Sequence, residues 1–365
     1  MTLRILHFYR TYHPDSFGGT ERVIHAIATA AKPLGVESTV LSLSRDPARN
    51  SVDFDGHRAE KARLDLEIAS NGMSLSAFGR FRELARQADL VHFHYPWPFL
   101  DLVSLARRHA KPYIVTHQSD IVRQRLMRLA ILPLERPFLA GAARIVATSP
   151  QYLRTSANLR RHADKTVVIP IGLHDRSGTL EAARVERWRR ELPASFFLFV
   201  GQLRHYKGFD VLEQAAARSG LPAVAIGGGD FAAVSRGGVR LLGDLPDADK
   251  HAILSLCTAL VLPSVNRAEA YGLVLVEASM FGKPMITCEV GTGTSFVNRD
   301  GETGFVVPAR DVEAVAGAMR RLHDDAALAR RMGQAARQRY LSELTAAKMA
   351  QGYLTLYRDV IGDRA

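Results

Sequence analysis

Two glutamates, Glu269 and Glu277, have the residue type and the spacing to bind a ligand that carries both phosphate and hydroxyl groups. The apolar segment Ala259 to Leu262 predicts a strand. The segment Glu269 to Gly272 predicts the start of a helix, and this helix carries Glu277. The unpaired N–H groups and the dipole of a helix N-terminus attract anions. A phosphate is expected to rest on the amides near Gly272, which has no side chain to hinder close approach. Glu277, four residues after Leu273 on the same helical face, would then accept hydrogen bonds from a ribose. The stretch predicts a sugar-nucleotide site.

The length and composition indicate a globular protein of two domains. The chain has 365 residues, of which 47% are hydrophobic and 23% charged. A chain of this length is expected to fold as two domains, each with its own core. The apolar runs are too short to cross a bilayer, and the first ten residues predict a strand rather than a secretion signal. Two cysteines, Cys257 and Cys288, suggest no disulfide framework and no metal site, so we expect a cytoplasmic protein.

The net charge of +11 is concentrated in one part of the chain. Residues 121–161 contain eight arginines and one acidic residue, Glu135. An ordinary solvated basic face and a functional surface are equally good explanations of this excess of arginine. The functional alternatives are contact with the anionic lipid head groups of the inner membrane leaflet and binding of nucleic acid. No helix-turn-helix, RNP or zinc-finger pattern accompanies the charge, so nucleic acid is not expected as a partner.

Strand and helix patterns alternate along the chain, which predicts an α/β fold of parallel, doubly wound sheets. Thr20 is the expected N-cap of the first helix, and Asp247 that of a helix over 248–256. The alternation restarts after a polar segment that follows Pro170. We therefore expect an N-terminal domain over 1–170 and a second domain over 171–345, followed by a last helical segment over 346–365. The predicted strands are 3–8, 38–43, 88–94, 112–116, 143–148, 167–169, 196–200, 223–226, 239–242, 259–262 and 284–287.

Several motifs occur together in one order, and with them the chain resembles the retaining glycosyltransferases of family 4. These enzymes have the GT-B architecture, in which two Rossmann-like domains face each other across a cleft. The resemblance also implies that the last helix returns to the N-terminal domain. The matching positions are Gly18 to Glu21, His117, Gly201 to Gly208, Glu269, Glu277, Gly282 to Pro284, Gly291 to Gly293 and Asn298 to Pro308.

The resemblance implies roles for several of the matching residues. Lys207 would face the diphosphate, Glu277 would bind the ribose, and Glu269 would bind hydroxyl groups of the donor sugar. In the acceptor-binding N-terminal domain, His117 would lie near the reacting sugar. His117, Glu269 and Lys207 are the expected catalytic residues. The expected nucleotide-binding residues are Gly18, Gly19, Arg204, Lys207, Glu269, Tyr271, Gly272, Leu273, Val274 and Glu277.

The chain departs from the family pattern at three positions. Gln202 stands where the family has an arginine for the diphosphate, and Arg204 is the expected replacement. Ser295 stands where the family often has glutamate, and His174 replaces an acidic residue that is common between the domains.

The resemblance also implies the substrates. The motifs around Gly18 and Lys207 are most similar to those of enzymes that add mannose or a related deoxyhexose during lipopolysaccharide, O-antigen or exopolysaccharide synthesis. A nucleotide sugar is therefore the expected donor, with GDP-mannose or GDP-D-rhamnose favoured over UDP-sugars. The acceptor would be a glycan or a lipid-linked glycan, which fits a basic N-terminal surface. Neither a metal nor another cofactor is expected.

Three other kinds of motif favour structural roles, and a fourth leaves two roles open. His92 and His94 alternate on one face of a strand, as a metal pair would, but no third ligand is suggested, so a partly buried pair is expected. The loop Tyr95–Phe99 is either an acceptor-binding wall or a rigid apolar turn. Residues 227–232 fit a lenient dinucleotide fingerprint and are expected to form a tight turn. The D-x-D matches at 53–55 and 247–249 are expected to be surface turns.

Three other functions remain open. A GT-B relative could epimerise or hydrolyse a UDP-sugar, but it would need further acid/base carboxylates, and only Glu21 stands out in the N-terminal half. An NAD-dependent oxidoreductase would depend on the fingerprint at 227–232 alone. A basic scaffold on a membrane or a nucleic acid would bind in a salt-sensitive way without turning over any nucleotide sugar.

Overall fold

The computed structural model describes residues 2–68, 71–105, 111–120, 125–228 and 238–362. For residues 105 and 125–132 the structure describes the backbone alone. The chain forms two compact units: Met1–His174 together with Ala346–Ala365, and Asp175–Thr345. Residues 121–124 of the predicted basic stretch lie outside the described residues.

The first unit is built on an eight-stranded sheet with the order β10-β9-β8-β7-β1-β2-β4-β3. All neighbouring strands in it are parallel except β3 and β4, and β5 and β6 form a separate antiparallel pair. The predicted parallel sheet is confirmed, whereas β3 to β6 were not predicted. The strands are β1 (Leu3–Phe8), β2 (Val36–Ser44), β3 (Val52–Phe54), β4 (His57–Arg63), β5 (Leu66–Ile68), β6 (Asn71–Met73), β7 (Leu90–Tyr95), β8 (Tyr113–His117), β9 (Arg144–Ala147) and β10 (Thr166–Val168).

Helices connect these strands. The first helix begins two residues earlier than predicted, because Gly18, and not Thr20, occupies the N-cap position. The helices of this unit are α1 (Gly19–Ala31), α2 (Pro47–Asn50), α3 (Ser76–Gln87), α4 (Pro98–Leu105), α5 (Arg125–Gly141), α6 (Pro150–Thr155), α7 (Ala157–Arg161) and, from the end of the chain, α15 (Ala346–Gly362).

The loop after β7 is a buried apolar turn. Tyr95, Trp97 and Phe99 all belong to the core cluster of this unit. The indole Nε1 of Trp97 donates a hydrogen bond to the carbonyl of Gly72 at 3.1 Å. Because the three rings are buried, the loop has the apolar role and not that of an exposed acceptor-binding wall.

Three fully buried histidines lie side by side in this sheet: His7, His92 and His94. The prediction of a partly buried pair without a third histidine was wrong. His7 comes from β1, which pairs with β7 in a register that sets His7 opposite His92.

Every ring nitrogen of the three histidines has a hydrogen-bond partner. His7 Nδ1 lies 3.1 Å from His94 Nε2. The other partners are Ser38, Thr116, Gln118 and, from α15, Tyr357. The group is therefore a complete polar network that also binds the C-terminal helix to the sheet.

We expect the first unit to lose stability as the pH falls. Burial lowers the pKa of His7 to about 3 and lowers the pKa values of His92 and His94 far below 6.5. Between these values and about pH 6.5, the unfolded chain binds protons that the folded chain excludes, so the free energy of unfolding decreases with decreasing pH. Each such histidine contributes about 1.4 kcal/mol per pH unit. Urea unfolding between about pH 7.5 and pH 5 measures this.

His94→Gln should make that pH dependence less steep, whereas His205→Gln, at an exposed position, should leave it unchanged. An unaltered slope in His94→Gln would contradict the assignment.

The second unit has a six-stranded, wholly parallel sheet with the order β13-β12-β11-β14-β15-β16. Its strands are β11 (Phe197–Val200), β12 (Ala223–Ile226), β13 (Val239–Leu241), β14 (Ala259–Leu262), β15 (Met285–Glu289) and β16 (Gly304–Pro308). Its helices are α8 (Ala182–Glu191), α9 (Phe209–Ser219), α10 (Asp247–Leu256), α11 (Leu273–Met280), α12 (Thr294–Val297), α13 (Val312–Asp324) and α14 (Ala326–Glu343).

The second D-x-D match is part of a helix and not a surface turn. Asp247 is the first residue of α10, and the N-cap position belongs to Pro246, which corrects the predicted cap. Asp249 is buried and accepts hydrogen bonds from Arg184, Arg187 and the indole of Trp188. Asp249 therefore anchors α8 to α10 through its Oδ1. The first match, Asp53–Asp55, spans β3 and the exposed turn that follows it.

The C-terminal helix α15 packs on α1 within the first unit. Among the described residues, no helix has the length and apolarity needed to cross a membrane.

Candidate functional site

The connectivity of the second unit brings two of the predicted residues together. β11 and β14 are neighbours in the sheet although they are not consecutive in the chain. The strand order reverses there, and ligands of open α/β sheets bind at the carboxyl ends of such strands. The loop after β11 carries Lys207, and the loop after β14 carries Glu269.

Lys207 and Glu269 form an ion pair, with Lys207 Nζ 2.5 Å from Glu269 Oε2. Both side chains are largely buried. Burial by itself lowers the pKa of Lys207, but the charges of Glu269 and Tyr206 outweigh burial and raise the pKa above its usual value. Lys207 is therefore a firmly charged ammonium group in a site of low polarity, where a cation acts strongly on a nearby anion.

The two loops are joined by their backbones. Val265 N donates to the carbonyl of Tyr206 at 2.9 Å. Gly208 has a φ of +71°, and a Cβ there would lie 1.9 Å from the carbonyl oxygen of Pro263. A side chain is therefore excluded at position 208 by both conformation and space, which keeps Lys207 against the second loop.

The helix α11 begins directly after Gly272, whose backbone has the left-handed conformation with a φ of +78°. A Cβ on Gly272 would lie 2.9 Å from Leu275 Cδ1. Tyr271 and Val274 are buried, and Leu273 is half-buried. The first amides of α11 have no side-chain cap, so they can accept an anion from outside.

Glu277 lies one turn into α11 and forms a second buried ion pair. Its Oε1 is 2.6 Å from Nζ of Lys250 on α10 and 4.0 Å from Nε2 of His251. Burial by itself raises the pKa of Glu277, but Lys250 and His251 outweigh burial and hold the pKa below its usual value. Glu277 is therefore an ionised acceptor for hydroxyl groups.

Arg204 is exposed and lies at the start of the turn that carries Lys207. Its positive charge is close enough to oppose, in part, the rise in the pKa of Lys207. Gln202 is also exposed. Arg204 thus adds positive charge on the same loop, although Gln202 occupies the position of the family's arginine.

A polar cavity of about 310 Å³ adjoins Glu277 through the two α10 residues Asp247 and His251. Asp247 Oδ1 lies 3.0 Å from Nζ of Lys250, which in turn binds Glu277. The cavity lining combines two arginines, two carboxylates and a hydroxyl group: it consists of Arg176, Thr179, Leu180, Glu181, Arg184, Asp247, Ala248 and His251.

A glycine- and threonine-rich loop supports the segment with Glu269. Thr292 Oγ1 donates to the carbonyl of Glu269 at 2.6 Å, and Gly293 N donates to the carbonyl of Ala270 at 2.8 Å. The hydroxyl of Ser295 is buried and has no hydrogen-bond partner among the described residues. This loop therefore holds the backbone around Glu269, while the carboxylate of Glu269 binds Lys207.

His117 lies in the first unit, at the carboxyl end of β8. It is fully buried, and burial lowers its pKa, so its ring is neutral near pH 7. Nδ1 lies 3.1 Å from the hydroxyl of Tyr152, and the ring of Tyr95 packs at 4.7 Å between centroids. Nε2 has no hydrogen-bond partner within the described part of the chain. An unsatisfied buried nitrogen is costly, so a ligand atom is the natural partner for it.

Gly18 and Gly19 are exposed at the start of α1, after β1. The loop before them is held by Glu21, whose Oε1 accepts hydrogen bonds from Thr11 and Ser16 at 2.6 and 3.0 Å. β1 and β8 are separated in the sheet by β7. Glu21 thus has structural partners, and the two glycines lie apart from His117 along the same sheet edge.

Sequence reasoning missed the partners of the carboxylates. Lys250 and His251 give no local signal, since 27 residues separate Lys250 from Glu277. The predicted fingerprint at 227–232 is only partly visible, because 229–232 lie outside the described residues; Gly228 N donates to Asp244 Oδ1 at 2.8 Å.

Two glycosyltransferase families match the chain, one in each half. Residues 17–176 match Glycosyltransferase Family 4, and residues 185–339 match Glycosyl transferases group 1.

Two proteins of known function are similar over nearly the whole chain. The D-rhamnosyltransferase WbpZ of Pseudomonas aeruginosa is 45% identical over 94% of this chain and 93% of its own length. The O-antigen chain mannosyltransferase C of Escherichia coli is 38% identical over 100% of both chains.

Solved structures share the fold at low identity. A sucrose-phosphate synthase from Thermosynechococcus elongatus superposes with a TM-score of 0.80 and 22% identity, over 99% of this chain and 100% of the other. WaaG, described as a glycosyltransferase involved in lipopolysaccharide biosynthesis, gives a TM-score of 0.70 at 16% identity, over 98% of this chain and 100% of its own.

Proposed function

This chain belongs to the family 4 and group 1 glycosyltransferases, and from that membership we propose that it transfers a hexosyl unit, of the mannose or D-rhamnose type, from a nucleoside diphosphate sugar to a glycan or lipid-linked glycan acceptor. The similar D-rhamnosyltransferase and O-antigen mannosyltransferase support this choice of sugar and a place in lipopolysaccharide or O-antigen synthesis. The observation that carries the proposal is the pair of buried lysine–glutamate contacts beside the uncapped start of α11.

The difficult step is departure of the diphosphate, on which negative charge grows as the bond from the anomeric carbon to oxygen breaks. We assign stabilisation of this charge to Lys207, to Arg204 and to the first amides of α11. Preorganised donors of this kind act through electrostatics and need no metal. Glu277 would accept the ribose hydroxyl groups and Glu269 hydroxyl groups of the donor sugar.

We propose transfer with retention at the anomeric carbon. The acceptor oxygen attacks from the face that the diphosphate leaves, and its proton passes to a phosphate oxygen of the leaving group. Therefore no protein nucleophile is needed. His117, with Nε2 unsatisfied, is assigned to contact the reacting sugar in this step.

We favour a GDP-sugar over a UDP-sugar as the donor. The polar cavity next to Glu277 is the natural place for the nucleobase, because the base and the ribose are covalently joined. Its carboxylates, Asp247 and Glu181, suit the N–H donors of guanine, whereas uracil offers one such donor.

We assign the acceptor to the first unit, which carries His117. A lipid-linked acceptor would bring the enzyme to the inner face of the membrane, and the basic stretch at 121–161 supports contact with anionic lipids there. Epimerisation or hydrolysis is less well supported, since Glu21, the carboxylate singled out for it, is already bound by Thr11 and Ser16.

A thermal-shift panel of GDP, UDP, ADP and dTDP tests the donor site. A ligand that binds the native state raises its apparent stability, by about 2.7 kcal/mol at a concentration of 100 Kd. We expect GDP to raise the Tm most and UDP less. If none of the four changes the Tm, the donor-site assignment is wrong; NAD serves as the control for the oxidoreductase alternative.

A further inference from the structure

Lys250 is a buried lysine whose ammonium group is bound on two sides. Nζ lies 2.6 Å from Oε1 of Glu277 and 3.0 Å from Oδ1 of Asp247. The residue is 9% exposed. Lysine is rarely buried unless it is paired with an acid, and here the pairing includes the carboxylate that we assign to the ribose.

We propose that Lys250 is a positioning residue of the donor site, which keeps Glu277 ionised and oriented to accept the ribose hydroxyl groups. This inference rests on the proposed function. It assigns to Lys250 no contact with the reacting atoms.

The geometry gives the reason. Lys250 holds Oε1 of Glu277 and leaves Oε2 without a hydrogen-bond donor among the described residues. A vicinal diol needs an acceptor in a defined place, and a carboxylate that is held at one oxygen offers the other in a single orientation. A free glutamate side chain would have to lose rotamer freedom on binding.

Charge gives the second reason. Burial alone raises the pKa of Glu277, and Lys250 is the largest opposing influence. Without its ammonium group the carboxyl group would take up a proton at a higher pH. A protonated acid accepts less well and carries no charge, so it binds hydroxyl groups more weakly.

The other charged groups around Glu277 do not replace Lys250. His251, on the same helix α10, lies with Nε2 4.0 Å from Oε1 of Glu277, beyond hydrogen-bond distance. Asp247 is itself an acid bound to Lys250. Helix α14 packs on α11 and carries Arg337. The guanidinium of Arg337 donates to Asp175 and to the carbonyl of Met280, the last residue of α11, and not to Glu277 among the described residues.

The test compares two probes, GDP and 2′,3′-dideoxy-GDP, by titration calorimetry at about pH 6 and about pH 8. The ratio of their Kd values reports the ribose hydroxyl groups alone, because both probes carry the same diphosphate and the same base. For the wild type we expect a preference for GDP of about tenfold or more at both pH values, as for hydrogen bonds to a charged group.

In Lys250→Met the preference should be weaker than in the wild type at both pH values, because Oε1 of Glu277 is no longer held. The loss should be larger near pH 6, at least about fivefold, because without the ammonium group the carboxyl group takes up a proton more readily. Lys250→Arg should restore the wild-type preference at both pH values, because it returns a cation. Lys250→Gln serves as a second neutral variant in case the methionine variant does not fold. Lys283→Met is the matched control, since Lys283 donates to the carbonyl of Cys257 at 2.9 Å and, among the described residues, to no carboxylate.

The outcomes are separable. If the preference of both neutral variants is the same as that of the wild type at both pH values, Lys250 has no positioning role. If the wild type binds GDP and the dideoxy probe equally, the assignment of Glu277 to the ribose fails. If the wild type binds neither probe, the proposed function fails, and the role of Lys250 fails with it.

Discussion

Lys207→Ala is expected to lower kcat by about 10²–10³, the usual cost of removing one preorganised donor from a developing anion. Lys207 forms an ion pair with Glu269 and is largely buried, so water screens its charge little. The effect should appear in kcat at saturating donor, because the interaction strengthens as the diphosphate leaves. The assay is transfer of labelled sugar from GDP-mannose or GDP-D-rhamnose to a lipid-linked acceptor, with EDTA present.

Two variants separate charge from folding in this experiment. Lys207→Arg keeps a cation and should retain more activity than the alanine variant. Arg218→Ala removes a cation from an exposed pair with Glu313 in the same unit and should leave kcat unchanged. Wild-type kcat in Lys207→Ala would remove this residue from the catalytic site. Loss of wild-type transfer on addition of EDTA would contradict the metal-free mechanism.

Glu277→Gln is expected to raise the KM for the donor about 10- to 100-fold, since hydrogen bonds to a charged group contribute about 1.5–3 kcal/mol each. The ribose lies away from the bond that breaks, so its contacts are the same before and during the reaction, and kcat should change little. Glutamine keeps the size of the side chain and can still contact Lys250. Steady-state kinetics with varied donor, together with the Kd for GDP, measure the effect.

Glu302→Gln is the matched control, because Glu302 is exposed and pairs with Arg299 on the surface of the same unit. It should not alter the KM. A fall in kcat without a change in KM in Glu277→Gln would mean that this carboxylate acts on the reacting sugar instead of on the ribose.

The amino-acid sequence determined the elements and the class of site. Apolar runs such as Ala259–Leu262 predicted strands that the structure contains, because a strand buried on both faces needs a continuous apolar segment. The position of Glu277 one turn into a helix followed from Gly272 and local spacing. These features depend on residues near one another in the chain, so local patterns were sufficient.

Strands β3, β5 and β6 were missed because each is only three residues long. Strand β4 was missed because its sequence is largely polar. The cap of α1 was misplaced because a glycine can occupy that position without a side-chain hydrogen bond. At such positions local propensity is weak, and packing decides the boundary.

The tertiary structure alone decided which charges meet. Lys207 and Glu269 are far apart in the chain and meet because β11 and β14 are neighbours at the point where the strand order reverses. Lys250 reaches Glu277 from a different helix, and His7 joins His92 because β1 and β7 pair in that register. A buried charge or a buried ring nitrogen needs a hydrogen-bond or ion-pair partner. The order of the strands determines which residues lie close enough to be that partner. Strand order depends on the whole sheet, and no local pattern contains it.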